Sequence, residues 1–171
     1  LCQAVAYAHS RGVLHRDIKP SNVMVGEFGE TVVLDWGLAK ARNHADVHEE
    51  GFAEALKALN VGGDGELSKT SYGQIVGTPA YMAPEQARGH LEQVDERSDV
   101  YSLGAVLYEL LTGTTPHVGE SKLDILLHVL EQTPRPVEAL APDAPPELVA
   151  ICNRALQKDP ARRYPSAKEL A

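Results

Sequence analysis

The sequence predicts a mainly α domain with a small β-hairpin, and three observations carry that expectation. Val23-Met24-Val25 and Thr31-Val32-Val33-Leu34 are short β-branched runs, and Gly26-Glu27-Phe28-Gly29-Glu30 between them supplies the turn of a hairpin. From about Ser98 to Thr112, Val100, Leu103, Gly104, Leu107 and Leu111 recur at helical spacing. Ala105, Val106 and Leu110 widen that face until it covers most of the helix, and a helix apolar nearly all round is a buried one. Beyond it, helical segments at about 121–131, 146–157 and 165–171 are separated by Pro134, Pro136, Pro142, Pro145 and Pro146.

The remaining elements follow in chain order. Leu1, Val5, Ala8 and Gly12 share helical spacing, so residues 1–11 read as the end of a helix with Gly12 as its C-terminal cap. Residues 38–82 contain no strong element. Phe52, Ala55, Leu56 and Leu59 make one weak amphipathic pair of turns, broken by Gly62-Gly63-Asp64-Gly65. A loop of that length is uncommon unless it is functional or disordered. Ser98 or Asp99 is the expected N-cap of the long helix, and Gly113 its stop.

Composition narrows the classes. At 171 residues, 43% of them apolar, the chain is one domain or part of one, with enough apolar residues for a packed core. A net charge of -8 offers no basic footprint for nucleic acid or an anionic membrane. Cys2 and Cys152 lie far apart and read as buried thiols in a reducing compartment. The first residues carry no basic stretch and no initiator Met, so the start reads neither as a signal peptide nor as a natural beginning. The run from Gly104 to Leu111 is short and contains Glu109, well under the ~18 residues of a membrane span. No membrane segment is expected in the chain, and the expected location is cytoplasmic. His44 and His48, with Glu49 adjacent, read as a solvated loop face rather than a metal pair. Asn60, Gly62, Asp64 and Gly65 have a faint calcium-loop spacing, but Ser71 stands where the bidentate Glu is needed.

The chemistry concentrates in His15-Arg16-Asp17-Ile18-Lys19-Pro20-Ser21-Asn22 and, thirteen residues later, Asp35-Trp36-Gly37. Asp17 is a candidate proton acceptor and Lys19 a phosphate-facing cation. Asn22 and Asp35 are oxygen ligands suited to a hard ion such as magnesium, which takes one or two side chains plus phosphate and water. They flank the two strands of the hairpin and so face one another. Phosphoryl transfer needs this equipment, because the protein contributes positioning and electrostatics rather than covalent work.

These runs resemble known motifs. The first is similar to the catalytic loop of eukaryotic-type protein kinases, Asp35-Trp36-Gly37 to their magnesium-binding Asp-Phe-Gly, and Ala83-Pro84-Glu85 to the Ala-Pro-Glu that closes their activation segment. The stretch from Gly77 to Ala87 resembles bacterial members. No Gly-rich phosphate loop and no Val-Ala-Ile-Lys-like strand occurs, so the chain resembles a protein-kinase C-lobe lacking the N-lobe. The resemblance covers residues 1–171, with an activation segment at 35–85 and an insertion at about 42–68. It implies a Ser/Thr protein kinase that moves the γ-phosphoryl of ATP to a protein substrate with Mg2+, and whose isolated C-lobe is inactive without its missing N-terminal kinase lobe. The alternative is a truncated, non-catalytic lobe acting as an interaction module. A small-molecule kinase of similar fold is disfavoured by Thr78 and Ala83-Pro84-Glu85.

The same resemblance assigns further roles. Asp-Ile-Lys-Pro and Thr78 imply Ser/Thr specificity, with Thr78 bonded to Asp17 and Lys19. Met24 packs beneath the adenine. His15 is a packed core residue. Arg16 binds a phosphorylated activation loop, for which Thr70 and then Ser71 are the candidate phosphosites. Glu85 and Arg163 form a buried ion pair, with Arg162 as the competing partner. Asp99 holds the catalytic-loop backbone. Trp36 replaces the usual Phe and changes the fit between lobes.

Overall fold

The computed structural model describes residues 1–41 and 78–171. Helix α1 spans Cys2–Ser10 and turns Val5 and His9 into the core. It ends at Gly12, whose φ of 74° is open to glycine and costly for other residues. Strand β1, Val13–Leu14, leads into the motif-bearing loop. The hairpin follows as β2, Val23–Val25, and β3, Thr31–Val33, paired antiparallel with Met24 opposite Val32. A second, unexpected pairing joins β1 to β4, Lys40–Ala41. Two-residue strands are too short for periodicity to reveal, so the reading of residues 38–82 as featureless is corrected at Lys40–Ala41. The amphipathic pair at 52–59 lies outside the described residues.

From Thr78 onward, the short helix α2, Pro84–Ala87, precedes the long helix α3, Glu96–Thr112. The expected cap is corrected: Asp95 caps α3, accepting the Arg97 N–H at 2.8 Å, while Ser98 and Asp99 lie inside the helix and are fully buried. Gly113, at φ 74°, stops it as anticipated. Leu110 is also corrected, since it stands 77% exposed near the helix end rather than on the buried face.

Helix α4, Lys122–Glu131, opens with Ser121 and Asp124 exchanging bonds at 3.1 and 3.0 Å. Helices α5, Val137–Leu140, α6, Pro146–Ala155, and α7, Ala167–Leu170, complete the chain. The one-turn helices α2 and α5 are too short to show a period in the sequence.

The core is built around α3. Tyr101, Ala105 and Tyr108 on one side pack with Val137, Val149, Cys152 and Leu156, while Leu103 and Val106 on the other meet Val5, Ile18, Val33 and Ala167. A third cluster joins Leu14, Met82, Ala87, Leu91 and Val94 to Leu126 and Val129 of α4. Both cysteines are free thiols, and Cys2 is only half-buried, a correction to the expectation of two buried ones. Its place in the first turn of α1 leaves it at the edge of the core. Among the described residues no helix is long and apolar enough to cross a membrane.

Candidate active site

The loop between β1 and β2 is held from beneath by α3. Asp99, fully buried, accepts the His15 N–H through Oδ2 and the Arg16 N–H through Oδ1, each at 2.8 Å. The same Oδ2 lies 2.8 Å from His9 Nε2, so three groups converge on one carboxylate. That geometry stabilises Arg16 in the left-handed conformation at φ 67°, which is strained for a side chain of this size. The His15 ring is 1% exposed. Its Nδ1 accepts the Asp17 N–H at 3.3 Å, which puts the ring proton on Nε2, donated to the Leu34 carbonyl at 3.0 Å. The expected packing role of His15 has a specific form: it ties the loop to the end of β3.

Asp17 emerges from this support with both oxygens engaged. Oδ2 accepts from Lys19 Nζ at 2.6 Å and Asn22 Nδ2 at 3.3 Å, and Oδ1 accepts the Thr78 N–H at 3.1 Å. Lys19 Nζ also donates to Thr78 Oγ1 at 2.8 Å. Thr78 therefore meets both residues that the resemblance implied, Lys19 through its hydroxyl and Asp17 through its backbone N–H. Although sixty-one residues separate Asp17 and Thr78, the fold brings them together. Carboxylate, ammonium and hydroxyl form one cluster at the rim of the core.

Asn22 is buried, and its Nδ2 also donates to the Asp17 carbonyl at 2.9 Å. Both Nδ2 contacts go to Asp17, so Oδ1 is the atom of Asn22 that could coordinate a cation. The Leu34 N–H donates to the Asn22 carbonyl at 2.8 Å, closing the hairpin so that Asp35 follows directly beside Asn22. Asp35 sits at φ 56°, exposed, with Oδ1 accepting the Gly37 N–H at 3.3 Å. Two neighbouring hard oxygens of this kind fit magnesium, which completes its octahedron with phosphate and water. Among the described residues no group of three His, Cys, Asp or Glu is placed to form a protein-only metal cage. His44, His48, Thr70 and Ser71 lie outside the described residues.

The outer face of the hairpin is apolar and uncovered. Met24 is 55% exposed, and Val32, paired opposite it, is exposed on the same face, as are Leu34 and Trp36 further along the chain. Trp36 packs its ring edge-on against His15 at 4.6 Å and donates Nε1–H to the Val33 carbonyl at 3.0 Å. Arg16 donates Nε–H to the Leu38 carbonyl at 2.6 Å, binding the loop to the chain just beyond Asp35.

The closing motif is anchored below. Arg163 rather than Arg162 meets Glu85, with Nη1 and Nη2 at 2.7 and 2.9 Å from its two oxygens. Its other donors go to the carbonyls of Arg97, Lys158 and Gln157, so the whole guanidinium fork is used, which a lysine could not reproduce. Burial pushes the Glu85 carboxyl up, but the Arg163 guanidinium and the Ser98 hydroxyl more than offset this and hold it below the usual carboxylate range. Sequence reasoning missed His9, Ser98 and Gln86. His9 carried a usable signal, a polar residue four after Val5 on the buried face of α1, whereas Ser98 and Gln86 carried none.

A catalytic-type loop, a hairpin that leads to Asp35-Trp36-Gly37 and a buried closing pair at Glu85 match the architecture of protein kinases. The family model for the protein kinase domain matches residues 1–171, and the chain belongs to that family. It is 38% identical over 169 residues to the serine/threonine-protein kinase PknB of Mycolicibacterium smegmatis, covering 99% of this chain and 24% of that protein. It is 42% identical over 174 residues to the serine/threonine-protein kinase PknD of Chlamydia pneumoniae, covering 99% of this chain and 17% of that one. The chain thus spans a quarter or less of the length of these curated relatives.

Proposed function

We propose that this chain is the C-terminal lobe of a bacterial Ser/Thr protein kinase, and that the intact protein transfers the γ-phosphoryl of ATP to Ser or Thr of a protein substrate. The observation that carries the reading is the joint hold of Lys19 and Thr78 on the Asp17 carboxylate. Asp17 orients the incoming hydroxyl and takes its proton. Lys19, hydrogen-bonded to both partners, presents positive charge to the transferred phosphate. Thr78 fixes the two relative to each other and shapes the platform for the substrate peptide. Asn22 and Asp35 hold magnesium, which when bound neutralises and orients the nucleotide phosphates. Met24, on the exposed face of the hairpin, lies under the adenine. The uncovered apolar patch from Met24 to Trp36 supports a second lobe that closes over it, since exposed apolar surface of this kind marks an interface. Arg16, with Thr70 and Ser71 as phosphate acceptors, provides regulation.

The decisive experiment uses the full-length protein. Asp17→Asn preserves shape and loses the proton acceptor, so kcat is expected to fall by about two to four orders of magnitude. Phosphate transfer to a Ser/Thr peptide measured beside thermal unfolding checks it. Activity within a few-fold of wild type at matched stability refutes the assignment.

A further inference from the structure

Gln86 follows the Glu85 ion pair and is 5% exposed, yet nothing described so far uses it. Its Oε1 accepts the Ala83 N–H at 3.2 Å, and its Nε2 donates to the Arg16 carbonyl at 3.0 Å. The two contacts select one orientation of the amide, because the Ala83 N–H can only face oxygen and the Arg16 carbonyl only nitrogen. Arg16 is therefore gripped at both of its backbone polar groups by side chains from different elements. Asp99 of α3 takes the N–H at 2.8 Å and Gln86 of α2 takes the carbonyl.

The position of that grip matters. The Arg16 carbonyl lies in the same rigid peptide plane as the Asp17 N–H. Fixing it sets the last soft torsion of Arg16, and with it the direction in which Asp17 leaves the loop. The opposite edge of that plane has only the long 3.3 Å contact to His15. Arg16 is also left-handed at φ 67°, so it relaxes toward ordinary backbone if released. We infer that Gln86 is a positioning residue for Asp17, coupling the closing turn of the activation segment to the catalytic loop. Glu85 ties that turn down to Arg163, Gln86 ties it up to Arg16, and Thr78 makes the other crossing at the Asp17 side chain.

The inference rests on the proposed role of Asp17. It is tested in the full-length protein with Gln86→Glu, Gln86→Met and, in parallel, Asp17→Asn, measuring steady-state phosphorylation of a Ser/Thr peptide and thermal unfolding. Gln86→Glu keeps the acceptor for Ala83 and turns an oxygen against the Arg16 carbonyl. Gln86→Met keeps length and neutrality and loses both bonds, so it preserves the test if the charged variant does not fold. Loss of the buried contact is expected to lower kcat by about ten- to a hundredfold. Since Gln86 is buried and its amide is spent on Ala83 and Arg16, KM for MgATP and for peptide should stay within about twofold. The inference is overturned by a kcat within twofold of wild type in the Met variant, or by losses that vanish once activity is corrected for the folded fraction. If Asp17→Asn is itself active, the underlying reading fails and takes the inference with it. If Asp17→Asn is inactive while both Gln86 variants keep their kcat, only the inference fails.

Discussion

At the scale of single residues, the most consequential ionisable group outside the site is His117. It is 3% exposed, with Nε2 at 3.3 Å from the Tyr101 hydroxyl. Burial, then the charges of Lys158 and His128, push its pKa down to about 4 from an ordinary value of 6.5. Between those values the unfolded chain binds a proton that the folded one refuses. This stability is therefore fully present above pH 6.5, declines as the pH falls, and is gone once the folded ring titrates near 4. A His117→Gln variant should lose less stability than wild type between pH 6.5 and 4. Chemical-denaturation midpoints measured across that range check it, and two parallel pH profiles would contradict it. Glu85 acts from the lower end of that window downward, its stability present above the ordinary carboxylate pKa of 4.5 and lost as the pH falls through its lowered value. Removing one partner of such a buried pair typically costs about 3–5 kcal/mol, because the other charge is stranded.

At the scale of elements, the fold depends on how closely α6 approaches α3. A Cβ placed on Gly104 would lie 2.7 Å from the Ala155 Cβ and 3.3 Å from the Ala155 backbone carbon. The obstacle is backbone as well as side chain, so it cannot simply rotate away. Gly104→Ala gains helix propensity on α3 but is expected to cost a net of about 1–3 kcal/mol through overpacking. Thermal unfolding of the variant checks this, and a raised midpoint would mean the two helices can separate without loss. The body of α3 was legible because its apolar period is strong. Its start was not, since Ser98 and Asp99 suit a cap by residue type and yet neither caps the helix. Tertiary contacts decided among them: Ser98 is drawn to Glu85 and Asp99 to the catalytic loop, which leaves Asp95 for the cap.

At the scale of the molecule, one face of the hairpin looks outward with Met24, Val32 and Leu34 exposed, and Trp36 is exposed just beyond it. On the proposed reading this face is one wall of the nucleotide site. The 171-residue chain contains no Gly-rich phosphate loop that could form the other wall. With ATP held from one side only, much of the positioning contribution to catalysis is absent. Residues 1–171 expressed alone are therefore expected to transfer no measurable phosphate from radiolabelled ATP to a generic Ser/Thr substrate. Turnover comparable to that of ordinary kinases would show the chain to be sufficient by itself.

The sequence by itself determined the family to which this chain belongs and roughly where its helices lie. Short-range motifs such as His15–Asn22 and Asp35–Gly37 hold their reactive groups within a few residues, and helical periodicity survives in any context. The resemblance already implied the hold of Asp99 on the catalytic loop and the Glu85–Arg163 pair, but only the tertiary structure decided the rest of the support: it chose Arg163 over Arg162, brought His9 to Asp99 and Ser98 to Glu85, and carried Gln86 to Arg16 across seventy residues. Nothing local marks a buried side chain for a backbone carbonyl far along the chain. Such pairings arise because burying a polar group without a partner is costly, and the fold that satisfies every one of them at once exists only after the helices have packed.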